Sequence, residues 1–333
     1  MINDINKIAQ VICDFCIIQK LKPIMETKKD LSYCYYINED KVNVVLQNTF
    51  DTCSSNEYCF SIFRDKYAQI KVIIFDKYDG QNLEIVLFTQ MPNEIISRDE
   101  KKYSKKVDFL RKLKIIPVIG PDGVGKTTLL TQVMDRTSQK IFYKRFKKIV
   151  RRSIIYNILQ PINKYFLTKK FGKKPEKDQH DDIHYFLVIC AGLGYYPYLF
   201  YKSLIKNNTI ILDRFFYDYL LKNISFMEKE TYLRENWKFL LQFIPKSYWI
   251  MHLDANSEVI LSRKEELSSD DIDKYRELNF TLYLNKPSVV YTYINTGLDL
   301  GQCKNIVLST GTSAKVFNKH NFSARTIKGL YND

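Results

Sequence analysis

Nothing constrains this chain more than the stretch Gly120-Pro121-Asp122-Gly123-Val124-Gly125-Lys126-Thr127-Thr128, which fits G-x-x-x-x-G-K-[ST] without a mismatch. Ile115-Ile116-Pro117-Val118-Ile119 precede it as a short apolar run that reads as a buried strand. Leu129, Leu130, Val133 and Met134 follow at helical spacing. Strand, glycine loop and helix in that order are what the motif requires. Gly120, Gly123 and Gly125 allow the curl that turns successive N–H groups toward one anion. The helix opening near Gly125 adds its positive end. Lys126 then reaches the β- and γ-phosphates of a nucleotide, and the Thr127 hydroxyl is placed to ligate Mg²⁺.

Beyond the loop, short apolar runs alternate with helical patterns. Residues 141–143 read as a second strand, with a helix from about Lys147. A basic amphipathic helix is the alternative, because Phe142, Phe146, Ile149 and Val150 also fit a 3.6-residue period. Residues 209–212 form a third strand ending in Asp213-Arg214, and residues 248–253 a fourth ending in Asp254. Residues 289–294 form a fifth, before Asn295-Thr296-Gly297, with residues 305–308 as its rival. Strands that alternate with helices predict a five-stranded parallel sheet with ligands at its C-terminal edge.

The first 105 residues read as a smaller, separate α/β domain, joined by a charged linker at 106–113 to a second domain at 114–333, and the charge-rich stretch from Ser97 to Lys112 reads as a linker or a solvated connecting helix. Its pattern is a helix carrying Ile5, Ile8, Ala9, Val11, Ile12 and Phe15, then strands at 41–46, 58–63, 71–75 and 83–88. Tyr78-Asp79-Gly80-Gln81 is a turn signal between the last two. No catalytic pattern occurs there. Cys13, Cys16, Cys53 and Cys59 resemble a metal set only loosely. The half holds no histidine, and Cys13 and Cys16 fall within the apolar helical pattern, so buried thiols are expected.

Charge is distributed unevenly. Between Lys140 and Pro175 there is no Asp or Glu, and twelve Lys and Arg residues carry +12 of the chain's net +14. Such a block implies an anionic partner: a phosphorylated substrate, an acidic lipid or a nucleic acid. Residues 183–201 contain no charged side chain. Gly192, Gly194, Pro197 and five tyrosines favour a buried helix with an aromatic wall over a membrane span. Seven cysteines and a start without a secretory signal point to a reducing cytoplasm.

Charged residues gather at the expected strand ends. Asp213 stands where a Mg²⁺ carboxylate is wanted, and Arg214 beside it is able to grip a phosphate. Asp218 follows on the same run. Arg263 and Lys264, in Ser262-Arg263-Lys264-Glu265-Glu266-Leu267, are placed to close over phosphates, and Arg276 lies further along the same excursion. A guanine-reading N-K-x-D is missing, since Asn285-Lys286-Pro287-Ser288 lacks its Asp.

From Lys114 onward the chain resembles the thymidylate kinase-like family of P-loop nucleoside monophosphate kinases. The likeness rests on the glycine loop, on Asp213-Arg214-Phe215, and on Leu253-Asp254-x-x-x-Glu258 running into Arg263-Lys264. The form looks similar to divergent members found with bacterial surface-polysaccharide genes. The Arg-Glu-Pro-Gly run that thymidylate kinases carry after the second strand is replaced by Lys144-Arg145-Phe146-Lys147, leaving Arg145 to grip an acceptor phosphate. The resemblance implies a P-loop kinase domain and transfer of the γ-phosphoryl of Mg-ATP to a nucleoside monophosphate. Lys126 and Arg263 would stabilise the transferring group, Thr127 and Asp213 would hold the metal, and Arg214 would orient the acceptor, with Arg145 and Asp218 as further acceptor residues. Two alternatives remain: a kinase for a sugar or lipid-linked acceptor, and a nucleotide-binding interaction protein without catalysis. The expected partners are ATP, a phosphorylated acceptor, an anionic membrane surface through residues 140–175 and a second copy in a homodimer, with no specific nucleic acid. The expected location is the cytoplasm, peripheral to the membrane.

Overall fold

The computed structural model describes residues 5–19, 21–27, 32–64, 69–76, 82–89, 98–137, 140–171, 182–218, 241–264 and 268–316. The elements begin with α1 (Ile5–Ile18), β1 (Lys22–Thr27), β2 (Ser32–Tyr36), α2 (Glu39–Ser55), β3 (Cys59–Arg64), β4 (Gln69–Phe75), β5 (Asn82–Phe88) and α3 (Arg98–Leu113). They continue with β6 (Ile115–Ile119), α4 (Lys126–Arg136), β7 (Ile141–Arg145), α5 (Phe146–Arg152), α6 (Ile154–Phe171) and α7 (Asp182–Phe200). A π turn at Tyr201–Ile205 leads to β8 (Thr209–Asp213), β9 (Trp249–Asp254), α8 (Ser257–Arg263), α9 (Ser269–Asn285), β10 (Val290–Asn295) and α10 (Leu300–Ser313).

The ten strands among the described residues belong to one mixed sheet, in the order β1-β2-β5-β4-β3-β10-β9-β6-β8-β7. The expected five-stranded sheet is therefore corrected. The five strands of the C-terminal part do run parallel. They do not stop at an edge, because β10 takes β3 as an antiparallel neighbour, with Val290 opposite Phe63 and Tyr293 opposite Phe60. An exposed strand edge is a template for unwanted pairing, and this contact covers it. The charged stretch expected as a linker is the end of α3, which runs directly into β6.

Residues 41–46 are not a strand but part of α2. Their β-branched run looks extended over six residues. Over the longer window Val42, Val45, Leu46, Thr49, Phe50 and Cys53 are buried at the spacing of one helical face. Residues 305–308 likewise lie within α10. The strands β1 and β2 had no sequence expectation. The turn at 78–81 lies outside the described residues.

Two layers of side chains cover the sheet. Ile115 and Ile119 of β6 enter one core, and Ile116 and Val118 enter the other, as strand alternation requires. The first core spans both parts of the chain. Phe50 of α2 stacks on Phe280 of α9 with ring centroids 4.2 Å apart, and Phe60 of β3 stacks on Tyr293 of β10 at 5.4 Å. A polar seam backs this contact: Ser61 Oγ lies 3.0 Å from both Thr292 Oγ1 and Thr310 Oγ1. Cys13, Cys16, Cys53, Cys59 and Cys303 are buried, and none of them is in a disulfide among the described residues. Burial, then the neighbouring Cys13, pushes the Cys16 thiol up to about 12. Among the described residues, no helix is long and apolar enough to cross a membrane.

Candidate functional site

Register decides what meets at the C-terminal edge of the parallel strands. Val118 of β6 lies beside Asp213 of β8 on one side and Met251 of β9 on the other. Asp213 and Asp254 thus flank the point where the chain leaves β6 for the glycine loop. The loop needs its glycines. Gly120, Gly123 and Gly125 hold φ of 141°, 88° and 85°, a region that side-chain-bearing residues avoid. A Cβ on Gly120 would also stand 2.1 Å from the Leu253 carbonyl oxygen. Gly125 caps α4, whose first residue is Lys126.

Lys126 is 7% exposed. Its Nζ donates to the carbonyl oxygens of Gly120 at 2.7 Å and Pro121 at 2.5 Å. Burial, then the nearby Arg214 charge, pushes its amine down to about 8. The loop has therefore wrapped its own carbonyls around a cation that has been withdrawn from water.

Arg214 is the hub of the opposite wall. It takes a left-handed backbone conformation, φ 67°, which costs a non-glycine residue free energy and occurs mostly where function or packing requires it. Its guanidinium pairs with Asp122 of the loop and with Asp218, the latter at 3.3 Å. Burial tends to raise the Asp122 carboxyl, but Arg214 and then Lys126 outweigh it and hold it below its usual range. Asp218 is buried, accepts from the Phe215 N–H at 2.7 Å and takes the Tyr275 hydroxyl. Desolvation pushes its carboxyl upward despite Arg214.

Asp213 is also covered, at 7% exposure. One of its oxygens accepts from the Tyr143 hydroxyl at 2.6 Å and lies 3.4 Å from Arg145 Nε. The Arg145 side chain is about half exposed, at 53%. Arg263 ends α8 and reaches back to the loop. Its Nη2 donates to the Thr296 carbonyl at 3.2 Å, and its Nη1 lies 3.7 Å from where a Cβ on Gly125 would be. Thr296 closes that side by donating from Oγ1 to the Val124 carbonyl at 2.7 Å.

These groups line one cleft of about 760 Å³ that includes Asp122, Lys126, Thr127, Arg145, Lys147, Asp213, Arg214, Arg263, Lys264 and Thr296. Its charged lining is six cations against two carboxylates, a surface made for a polyanion. Every residue of the expected site is at the cleft or directly behind it; Asp218 lies beneath Arg214. Arg276 does not join them. Asp254 holds it, as does Asp273 at 2.6 Å. Desolvation raises the buried Asp254 carboxyl, whose other partner is the Tyr293 hydroxyl at 2.9 Å.

Sequence reading passed over Tyr143, Lys147 and Tyr275. Tyr143 sits two residues before Arg145 in β7, on the side chain alternation that faces Asp213, and that period was the one available signal. Nothing in the letters announces Tyr275, which meets Asp218 from within α9.

No protein-family model matches the chain, and no curated protein matches it in sequence. Among solved structures it is similar to a deoxyadenosine kinase from M. mycoides, determined with the product dCMP and a flexible dCDP bound. That match has 11% identity and a TM-score of 0.38, and it covers 60% of this chain and 99% of the other. A likeness that slight carries no argument about activity; the cleft itself must do so.

Proposed function

We propose that this chain is an ATP-dependent phosphotransferase of the P-loop kinase class, acting on a nucleoside monophosphate. The observation that carries the reading is Lys126. A buried amine in a left-handed glycine loop faces Arg145, Arg214 and Arg263 across one cleft. Phosphoryl transfer asks for such positioned positive charge and little covalent chemistry.

The donor set fits Mg²⁺: the Thr127 hydroxyl and the Asp213 carboxylate are hard oxygen ligands lining the same cleft. When bound, the metal neutralises charge on the phosphates. The protein's own groups do the rest. Gly123 and Gly125 point backbone N–H groups at the triphosphate. Lys126 and Arg263 stabilise the charge on the transferring group, from below and from the lid side. Arg214, braced by Asp218, orients the acceptor, and the half-exposed Arg145 grips its phosphate with Lys147 alongside. No described residue before β6 lines the cleft, and β3 pairs alongside β10 in the same sheet.

ADP formation from ATP, measured with Mg²⁺ against a panel of nucleoside monophosphates, tests the reading. Turnover with one monophosphate is expected, and Arg145→Ala should raise the KM of that acceptor about tenfold or more while barely moving the KM of ATP. Tight ATP binding without turnover on any monophosphate would instead favour a sugar or lipid-linked acceptor, or a nucleotide-binding protein that does not catalyse.

A further inference from the structure

The helix α6 carries an apolar face that stays exposed to a large extent among the described residues. Ile154 is 75% exposed, Ile158 60% and Tyr165 65%, and Ile155, Leu159 and Ile162 are exposed beside them. At 100° per residue these six positions fall within about 140° of one helix face. Tyr156, on the opposite side of α6, packs against the core. Water-facing isoleucines in this number are unusual on a protein that meets only solvent, and a contiguous patch marks a contact.

The charge around the patch identifies the partner. Lys148, Arg151 and Arg152 are exposed on α5, which leads through Ser153 straight into α6. The surrounding segment 140–175 holds twelve basic residues and no acidic one. A second copy of the chain would bring two such blocks together with no carboxylate in either segment to offset them. A surface that is apolar within and negative at its boundary matches the segment on both counts.

We infer that α5 and α6 lie in the plane of an anionic lipid surface, with Ile154, Ile158, Ile162 and Tyr165 among the acyl chains and Lys148, Arg151 and Arg152 on the lipid phosphates. The helix lies on the membrane and does not cross it. The inference is independent of the phosphotransferase reading, since none of these residues lines the cleft. It has a consequence if both hold. Arg145 and Lys147 line the cleft and immediately precede or begin α5, so the cleft's acceptor side sits next to the membrane-facing segment.

The test is flotation of the full chain with vesicles. One set is phosphatidylcholine alone, and the other is phosphatidylcholine with phosphatidylglycerol. The chain should float with the second set and remain behind with the first, and binding should weaken as salt rises. Lys148→Glu with Arg151→Glu and Arg152→Glu should weaken binding on the order of a hundredfold. Ile158→Asn with Ile162→Asn should weaken it about tenfold or more. Both sets of positions are exposed, so the fold is retained, and an unchanged melting temperature checks this. Failure to float with anionic vesicles overturns the inference, as does flotation that neither variant alters. A chain that dimerises in solution, loses the dimer on Ile158→Asn with Ile162→Asn and ignores vesicles would show that the face belongs to a second copy.

Discussion

In β3, β4 and β5 the buried side chains are apolar apart from Ser61, and their ion pair Lys71–Glu84 stands 2.6 Å apart at the surface with about a third of each side chain exposed (36% and 32%). In β6, β8 and β9 the C-terminal ends instead carry a left-handed glycine, Asp213-Arg214 and Asp254, with the carboxylates almost wholly buried. Both regions belong to one sheet and share one core. The difference lies in where polar groups are withdrawn from water. Burying charge is costly and is tolerated when it is paired. In the N-terminal region the described buried side-chain polar groups are few, such as Thr49, bonded back to the Val45 carbonyl at 2.9 Å, and Ser61. In the C-terminal region Lys126, Asp213 and Asp218 accept that cost at one cleft or directly behind it, and Asp254 does so in its pair with Arg276.

The largest effect should come from breaking the contact between the regions. Phe50→Ala removes a fully buried ring that stacks on Phe280 and meets Phe60 and Tyr293 edge-on. It is expected to cost about 3–5 kcal/mol in a denaturant melt that stays a single transition. Nucleotide affinity below the melt should be unchanged. Two separate transitions in the parent protein would mean that the regions fold independently and that the shared core is not cooperative.

A smaller loss is expected within the C-terminal region away from the charges. A Cβ on Gly192 of α7 would stand 2.4 Å from the Phe216 ring and 2.7 Å from the Phe146 ring. Gly192→Ala should therefore cost about 1–3 kcal/mol through overpacking, read from the melting midpoint. A midpoint that does not move would show that α7 yields freely there.

The third prediction concerns Lys126. Its amine is charged below about 8 and loses the proton above it. Raising the pH from 7 to 9 should then weaken ATP binding by up to about tenfold, with proton uptake on binding at the upper end. Calorimetry in buffers of different ionisation enthalpy measures both. The smallest effect should be at Lys71. Lys71→Ala removes an exposed pair and should change stability by less than about 1 kcal/mol, with no effect on nucleotide affinity. A change in affinity there would break the contrast between the regions.

Much of the C-terminal region was legible in the sequence because its signals are local. The glycine loop, the apolar run before it and the Asp-Arg pair after residues 209–212 each lie within a few residues. The sheet as a whole was not legible. Whether β10 ends a five-stranded sheet or pairs onward with β3 depends on a contact between residues more than 200 positions apart, and no local pattern carries it. The helix α2 was misread because Val42, Val44, Val45 and Leu46 fit a strand until the window is lengthened. At the site, the cations were visible as letters, but their partners were not. Arg214 is placed by Asp122 and Asp218, and Asp218 by Tyr275 from another element, so the charge pairing emerges only after folding.

The central claim is that the cleft around Lys126 binds and uses Mg-ATP. Lys126-dependent ATP consumption by the purified full chain, in the presence of Mg²⁺ and a panel of nucleoside monophosphates, tests it most directly. Turnover with at least one acceptor is expected, with a loss on the order of a thousandfold on Lys126→Ala and an unchanged fold by circular dichroism. Turnover that survives Lys126→Ala at the parent rate would contradict it and place the chemistry elsewhere in the molecule.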